Sequence, residues 1–190
     1  MAKRVYFAFH YQDVIDFRAN VVRKHNVIEG VEEAGYYDAS IWEEAKKKGD
    51  LALKRMINSE LERTSVTAVL IGTNTYARPW VRYEILKSVE RRNKIIGIHI
   101  NSVKGKDQQI KHSGANPFDF LCILVSPDGK KATPYEFNGS QWVIYSKLNS
   151  FDIPEQPSNL RGTYIMLSQC FSVYDWVSND GYNNFERWVE

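Results

Sequence analysis

Val66-Thr-Ala-Val-Leu-Ile-Gly-Thr-Asn-Thr-Tyr-Ala-Arg-Pro-Trp-Val-Arg-Tyr-Glu84 decides the fold. Its first six residues are a nearly continuous apolar run, which suits a central parallel strand buried on both faces. Pro79 then stands where the first turn of a helix tolerates a residue without an N–H. Val81, Ile85, Leu86 and Val89 supply the helix face that packs back on the sheet. Trp80 and Glu84 are four apart and share another face, so an indole and a carboxylate stand together at the mouth of the strand-to-helix turn. Open α/β sheets bind their ligands at such mouths.

The flanking sequence repeats the pattern. Val5 to Phe9 is β-branched and aromatic, and Asp13 to His25 carries Val14, Phe17, Val21 and Val22 at helical spacing. Tyr36 to Trp42 reads as a brief second strand leading into a loop through Asp38, Ser40 and the lysine run. Asp50 is placed as the N-cap of a helix whose apolar face is Leu51, Leu53, Met56, Ile57 and Leu61. Asn93 ends the helix that holds Glu84, and Ile95 to Ile100 is another buried strand. This alternation predicts an α/β fold, a doubly wound, mainly parallel sheet flanked by helices.

After Asn101 the alternation weakens. Lys104 to Asn116 is a polar loop, Phe120 to Val125 and Trp142 to Tyr145 read as strands, and Thr163 to Phe171 suits strand or helix. Turns are expected at Pro127-Asp-Gly-Lys-Lys and along Ile153-Pro-Glu-Gln-Pro-Ser-Asn. The expectation is one domain over residues 1–190, with a recognisable core over 1–125 and a C-terminal elaboration over 126–190. Trp176, Tyr182, Phe185 and Trp188 suggest an aromatic element docking on that domain.

A chain of 190 residues with 43% hydrophobic and 25% charged residues is an ordinary globular domain with a full core. Its net charge of +2 gives no sustained field for nucleic acid, and Lys46-Lys47-Lys48 and Arg91-Arg92 read as solvated helix faces. Cys122 and Cys170 make no disulfide framework and are read as buried thiols; with no Cys/His cluster, no metal is expected. The N-terminus lacks a signal-peptide core and no stretch approaches ~18 apolar residues, so a cytoplasmic protein away from membranes is expected. Asn138-Gly-Ser then reads as a turn rather than a glycosylation site.

The loops exclude several uses of such a sheet. His10-Tyr11-Gln12-Asp13 has no glycine to let a pyrophosphate approach the backbone, and no GxxxxGK[ST] occurs. The third strand exits into Gly72-Thr73-Asn74, without the Asp a phosphoacceptor needs. There is no GxSxG elbow and no HExxH pair among His10, His25, His99 and His112. His10 alone sits at a predicted strand end, as a ligand contact or a polar loop cap.

Trp80-Val-Arg-Tyr-Glu84, following Val69-Leu-Ile-Gly-Thr-Asn-Thr-Tyr76, resembles the strand, loop and helix of TIR domains, where a tryptophan precedes the catalytic glutamate by four positions. Val5-Tyr-Phe-Ala-Phe-His-Tyr-Gln-Asp13 resembles the TIR opening box, departing from it where His10-Tyr11 replaces a serine-containing end. Arg18, Asp38-Ala-Ser-Ile-Trp42 and Ile95-Ile-Gly-Ile-His-Ile100 extend the likeness, over residues 1–125, to the TIR-like ThsB family of bacterial Thoeris antiphage systems. The resemblance implies a TIR-like, flavodoxin-like fold and an enzyme that cleaves the nicotinamide–ribose bond of NAD and forms a cyclic ADP-ribose isomer. That messenger would activate a ThsA-like effector NADase, with room for a phage-derived trigger and for an oligomer. NAD is then a substrate, and no cofactor is expected.

Such cleavage passes through an oxocarbenium-like state that a carboxylate beneath the sugar stabilises, and Glu84 is the catalytic candidate. Nicotinamide leaves as a neutral pyridine and needs no proton donor. Phe9, Tyr11, Tyr76, Trp80 and Tyr83 are candidate walls that exclude water, though packing explains aromatics at strand ends equally well. His10, Arg18 and Asn74 complete the candidate substrate-binding set; Arg18 reads equally as a structural ion pair and Asn74 as a loop cap. Spacing alone leaves Glu84 open to a helix-dipole role or a pairing with Lys87 or Ser88. Two other functions remain: a non-catalytic TIR adaptor or scaffold, and a nucleoside deoxyribosyltransferase-like enzyme that spares NAD.

Overall fold

A computed structural model describes residues 4–25, 32–34 and 39–190. The first half runs β1 (Arg4–Phe9), α1 (Tyr11–Ile15), α2 (Arg18–His25), β2 (Glu32–Ala34), α3 (Ala39–Lys47), α4 (Asp50–Leu61), β3 (Val66–Ile71), α5 (Pro79–Glu90) and β4 (Lys94–His99). The second half adds β5 (Leu121–Val125), β6 (Lys131–Phe137), β7 (Trp142–Ile144), β8 (Phe151–Asp152), β9 (Tyr164–Met166), β10 (Val173–Asp175) and α6 (Gly181–Val189). A parallel sheet of order β10-β4-β3-β1-β2 lies at the centre, and a second, antiparallel sheet has the order β7-β6-β5-β9 with β8 on β6.

Strand pleating sends alternate residues to opposite faces, and here each face has its own core. Tyr6, Ala8, Val69 and Ile71 meet Ile57 and Leu61 of α4, Val81 and Ile85 of α5, and Leu121 of the antiparallel sheet. Val5, Phe7, Ala68 and Leu70 meet Ala19 and Val22 of α2 and Trp176, Phe185 and Trp188 at the C-terminus. Every residue of β3 is buried, as its unbroken apolar run requires. The fold is therefore the doubly wound α/β architecture expected from the sequence. No helix among the described residues is long and apolar enough to cross a membrane.

Several local expectations need correction. The helix drawn over Asp13 to His25 breaks at Asp16-Phe17, where Phe17 takes φ 65° and turns outward. The break lets Arg18 start a new helix and point inward, where it is 1% exposed. Ala39 to Trp42 begins α3 rather than a strand, and the lysine run closes that helix; the short edge strand is Glu32–Ala34. Tyr36 to Asp38 lie outside the described residues. Gly49, at φ 92°, replaces Asp50 as the cap of α4, and Leu51 is exposed. Cys170 is exposed, while Cys122 is buried with its thiol pushed up to about 11 by that burial.

The C-terminal half holds two elements the sequence hides. β6 carries Pro134, which normally demotes a run from strand status. It is tolerated here because its nitrogen and carbonyl face away from β5, into the gap between β7 and β8, so no ladder bond to β5 is lost and the carbonyl accepts from the Tyr145 N–H at 2.9 Å. β10 returns to the parallel sheet beside β4, in the register Val173↔Gly97. The aromatic terminus docks as expected: Trp176 is fully buried, edge-on to Tyr182 and Trp188.

Candidate active site

A cavity of about 330 Å³ opens where β1 ends and α5 begins. Phe7, Phe9, His10 and Tyr11 form one wall, and Trp42, Glu43 and Lys46 of α3 form another. Arg78, Pro79, Trp80, Val81 and Glu84 close it from α5. The volume falls at the small end of the range for ligand sites.

Glu84 lies in the second turn of α5 and is 6% exposed. Its Oε1 accepts a 2.6 Å hydrogen bond from the Tyr6 hydroxyl on β1. Burial pushes the carboxyl up to about 8, and the Tyr6 bond pulls partly the other way. One turn on, the Ser88 hydroxyl bonds the Glu84 carbonyl at 2.7 Å and meets Thr67 of β3 at 2.8 Å. The catalytic candidate is thus fixed through both its side chain and its helix.

Trp80 stands beside it with its ring edge-on to Tyr83 at 5.7 Å, and the Lys147 ammonium lies 4.8 Å from the indole centre. The antiparallel sheet grips the same turns of α5. The Tyr145 hydroxyl donates to the Pro79 carbonyl at 3.1 Å, and Arg82 pairs with Glu136 at 2.7 Å while donating to the Phe137 carbonyl at 3.0 Å. Burial, then Arg78 and Lys111, holds the His10 imidazole below its ordinary value, so it is neutral near pH 7.

Five of the nine residues singled out from the sequence meet in the cavity: Phe9, His10, Tyr11, Trp80 and Glu84. The other four do not line it. Arg18 donates to the carbonyls of Val103 and Gln109 at 3.0 and 2.6 Å and pairs with Asp16, which ties down the loop after β4. Asn74 is exposed ahead of a short 3₁₀ turn and makes no cap bond there. Tyr76 packs on Phe120 at 5.0 Å and lines a second hollow. Tyr83 is buried behind Trp80, donating to Asn58 at 3.0 Å.

The sequence reading missed Phe7, Glu43, Lys46, Arg78, Pro79 and Val81 as lining residues. Lys46 was hidden in a run read as a solvated face, and only the true helical phase of α3 turns it toward the cavity. Trp42 belonged to a segment of family likeness but carried no assigned role. Asp13, just behind His10, is 4% exposed and its buried Oδ2 has no hydrogen-bond partner. Burial pushes its carboxyl up to about 6, against the pull of Lys111. No group of three or more metal-ligating side chains converges among the described residues.

The arrangement offers an acidic side chain at the floor and aromatic walls, which suit a flat, positively charged ring on a sugar. Comparison with known proteins agrees with the architecture. The family described as Thoeris protein ThsB, TIR-like domain, matches residues 6–105. A relative from Bacillus cereus (strain MSX-D12), provisionally named cyclic ADP-D-ribose synthase ThsB1, is 56% identical over 191 residues, covering 100% of both chains.

Proposed function

This chain belongs to the ThsB TIR-like family of Thoeris systems, and from that premise we propose that it cleaves the nicotinamide–ribose bond of NAD and closes the remaining ADP-ribose into a cyclic isomer. Residues 1–190 act as one domain in this reading, and NAD is consumed as substrate with no resident cofactor. The messenger would pass to a ThsA-like effector NADase in the cytoplasm, after a phage-derived trigger. The name carried by the relative supports the activity.

The single observation that carries the proposal is the burial of Glu84 beneath Trp80, at the floor of a cavity with room for a nucleoside. Nicotinamide departs with the bonding electron pair, leaving positive charge on ribose C1′ that an ionised Glu84 offsets. With its carboxyl pushed up to about 8, Glu84 is largely protonated at pH 7 in the empty site. The pyridinium of NAD, brought beside it, favours the ionised form, so substrate itself charges the catalyst. A carboxylate exposed to water would be ionised in advance and would gain less in the transition state. The buried aromatic surroundings also keep water from C1′ while the ADP portion folds back.

The decisive experiment compares cells carrying the protein or its Glu84→Gln form after phage infection, reading small-molecule extracts for activation of a ThsA-like NADase. Wild-type extracts should activate and Glu84→Gln extracts should not. Equal activation by both would remove Glu84 from the chemistry, and no messenger from the wild type would favour an adaptor role. Release of a base from a deoxynucleoside, with NAD untouched, would favour the transferase.

A further inference from the structure

Arg78 is the residue of the cavity whose surroundings do not explain it. It lies at the N-cap of α5, half-buried, with its Nε shielded from solvent and without a hydrogen-bond partner. No ion pair joins its guanidinium to another described side chain, although Arg18, Arg82 and Arg161 each hold a carboxylate. A shielded guanidinium N–H left without an acceptor is unfavourable unless something else supplies one.

The surroundings favour an anion. Arg78 sits ahead of the first free N–H groups of a twelve-residue helix, where the macrodipole adds positive potential. Lys46 faces the same cavity from α3 and, among the described residues, is held only by an exposed 3.7 Å contact with Glu43. Such exposed pairs contribute little and yield readily to a doubly charged ligand.

The spacing suits a dinucleotide. Glu84 lies six positions after Arg78, about 9 Å along the axis at the helical rise. In a nicotinamide dinucleotide the diphosphate is joined to the ribose by one methylene and one ester oxygen, so a sugar over Glu84 brings its phosphates toward the N-terminus of α5. Resting on the NAD-cleaving reading above, we infer that Arg78, assisted by Lys46, is the diphosphate subsite of the cavity, and that it makes the protein select dinucleotides over nucleosides. A planar guanidinium meets phosphate oxygens with two parallel hydrogen bonds, which a lysine cannot reproduce.

The test is calorimetric titration of the full-length protein and its Arg78→Gln, Arg78→Lys and Lys46→Gln forms with NAD and with nicotinamide riboside, which keeps the scissile bond but lacks the diphosphate. Arg78→Gln should weaken NAD by about tenfold or more, flatten the dependence of NAD binding on salt, and leave the riboside within twofold. Arg78→Lys should fall between, and Lys46→Gln should show a smaller loss confined to NAD. Equal weakening of both ligands, or undiminished NAD binding by Arg78→Gln, overturns the assignment while leaving the NAD reading standing. If the wild type binds neither ligand, the subsite assignment falls, and the NAD reading is decided by the infection experiment above.

Discussion

Glu84→Gln should make the protein more stable, and more so the higher the pH. The Glu84 carboxyl stands at about 8 in the folded protein against a model value of 4.5. A group that binds its proton more tightly when folded contributes fully below the unfolded value, and that contribution drains away as pH rises from 4.5 toward 8. Integrating between pH 5 and pH 8 gives a wild-type loss of about 3 to 4 kcal/mol from this one residue. Glutamine does not titrate and can still accept from Tyr6, so the stability difference between the two proteins should widen by that amount across the interval. For a domain of this size the corresponding separation in Tm is roughly ten degrees. Urea denaturation of both proteins at pH 5, 6, 7 and 8 measures it. A difference that stays flat within about 1 kcal/mol, or widens toward acid, would refute the claim that burial disfavours the ionised form of Glu84. If Glu84 is the catalytic carboxylate proposed above, it is a site where stability is given up for reactivity.

Tyr6→Phe removes the hydroxyl that favours the ionised carboxylate, so the acid limb of messenger formation should move up by about 1 to 2 pH units. Activity would be depressed at pH 7 and recover near pH 9, whereas an unmoved limb would show that the 2.6 Å bond does not tune Glu84. Arg18→Ala deletes a buried cation that bonds two loop carbonyls and Asp16, and should lower stability by about 3 to 5 kcal/mol. Limited proteolysis should then cut first between residues 101 and 116, and an unchanged digestion pattern would mean that Arg18 does not hold that loop.

The parallel sheet was readable because β3 and β4 are buried on both faces and so carry unbroken apolar runs, and because Trp80 and Glu84 share a helix face by spacing alone. What was hidden depends on contacts distant in sequence. Pro134 disguises β6, whose pairing is supplied by β5 and β7. Three residues, Val173–Asp175, are too few to announce a strand, and only the free edge of β4 makes them one. In the cavity, Trp80 and Glu84 on the motif helix and Phe9, His10 and Tyr11 at the end of β1 were found, Arg78 and Pro79 at the start of the same helix were not, and Lys46 and Glu43 arrive from α3, whose rotation no local pattern fixes. Arg18 matched a family position, yet the break at Phe17 directs it into the loop after β4 rather than toward a ligand.

The order in which the sheet is completed matters for how the protein is made. β10 pairs with β4 through the register Val173↔Gly97, so the edge strand leaves the ribosome roughly 75 residues after its neighbour. At about 5 to 20 residues per second that is a wait of roughly 4 to 15 s. Throughout it the outer edge of β4 lacks its final partner, and the face later covered by Trp176 and α6 is bare. The antiparallel sheet emerges during this interval and can fold on its own local pairings. The hollow around Glu84 therefore takes shape on a nascent chain whose opposite face is still open.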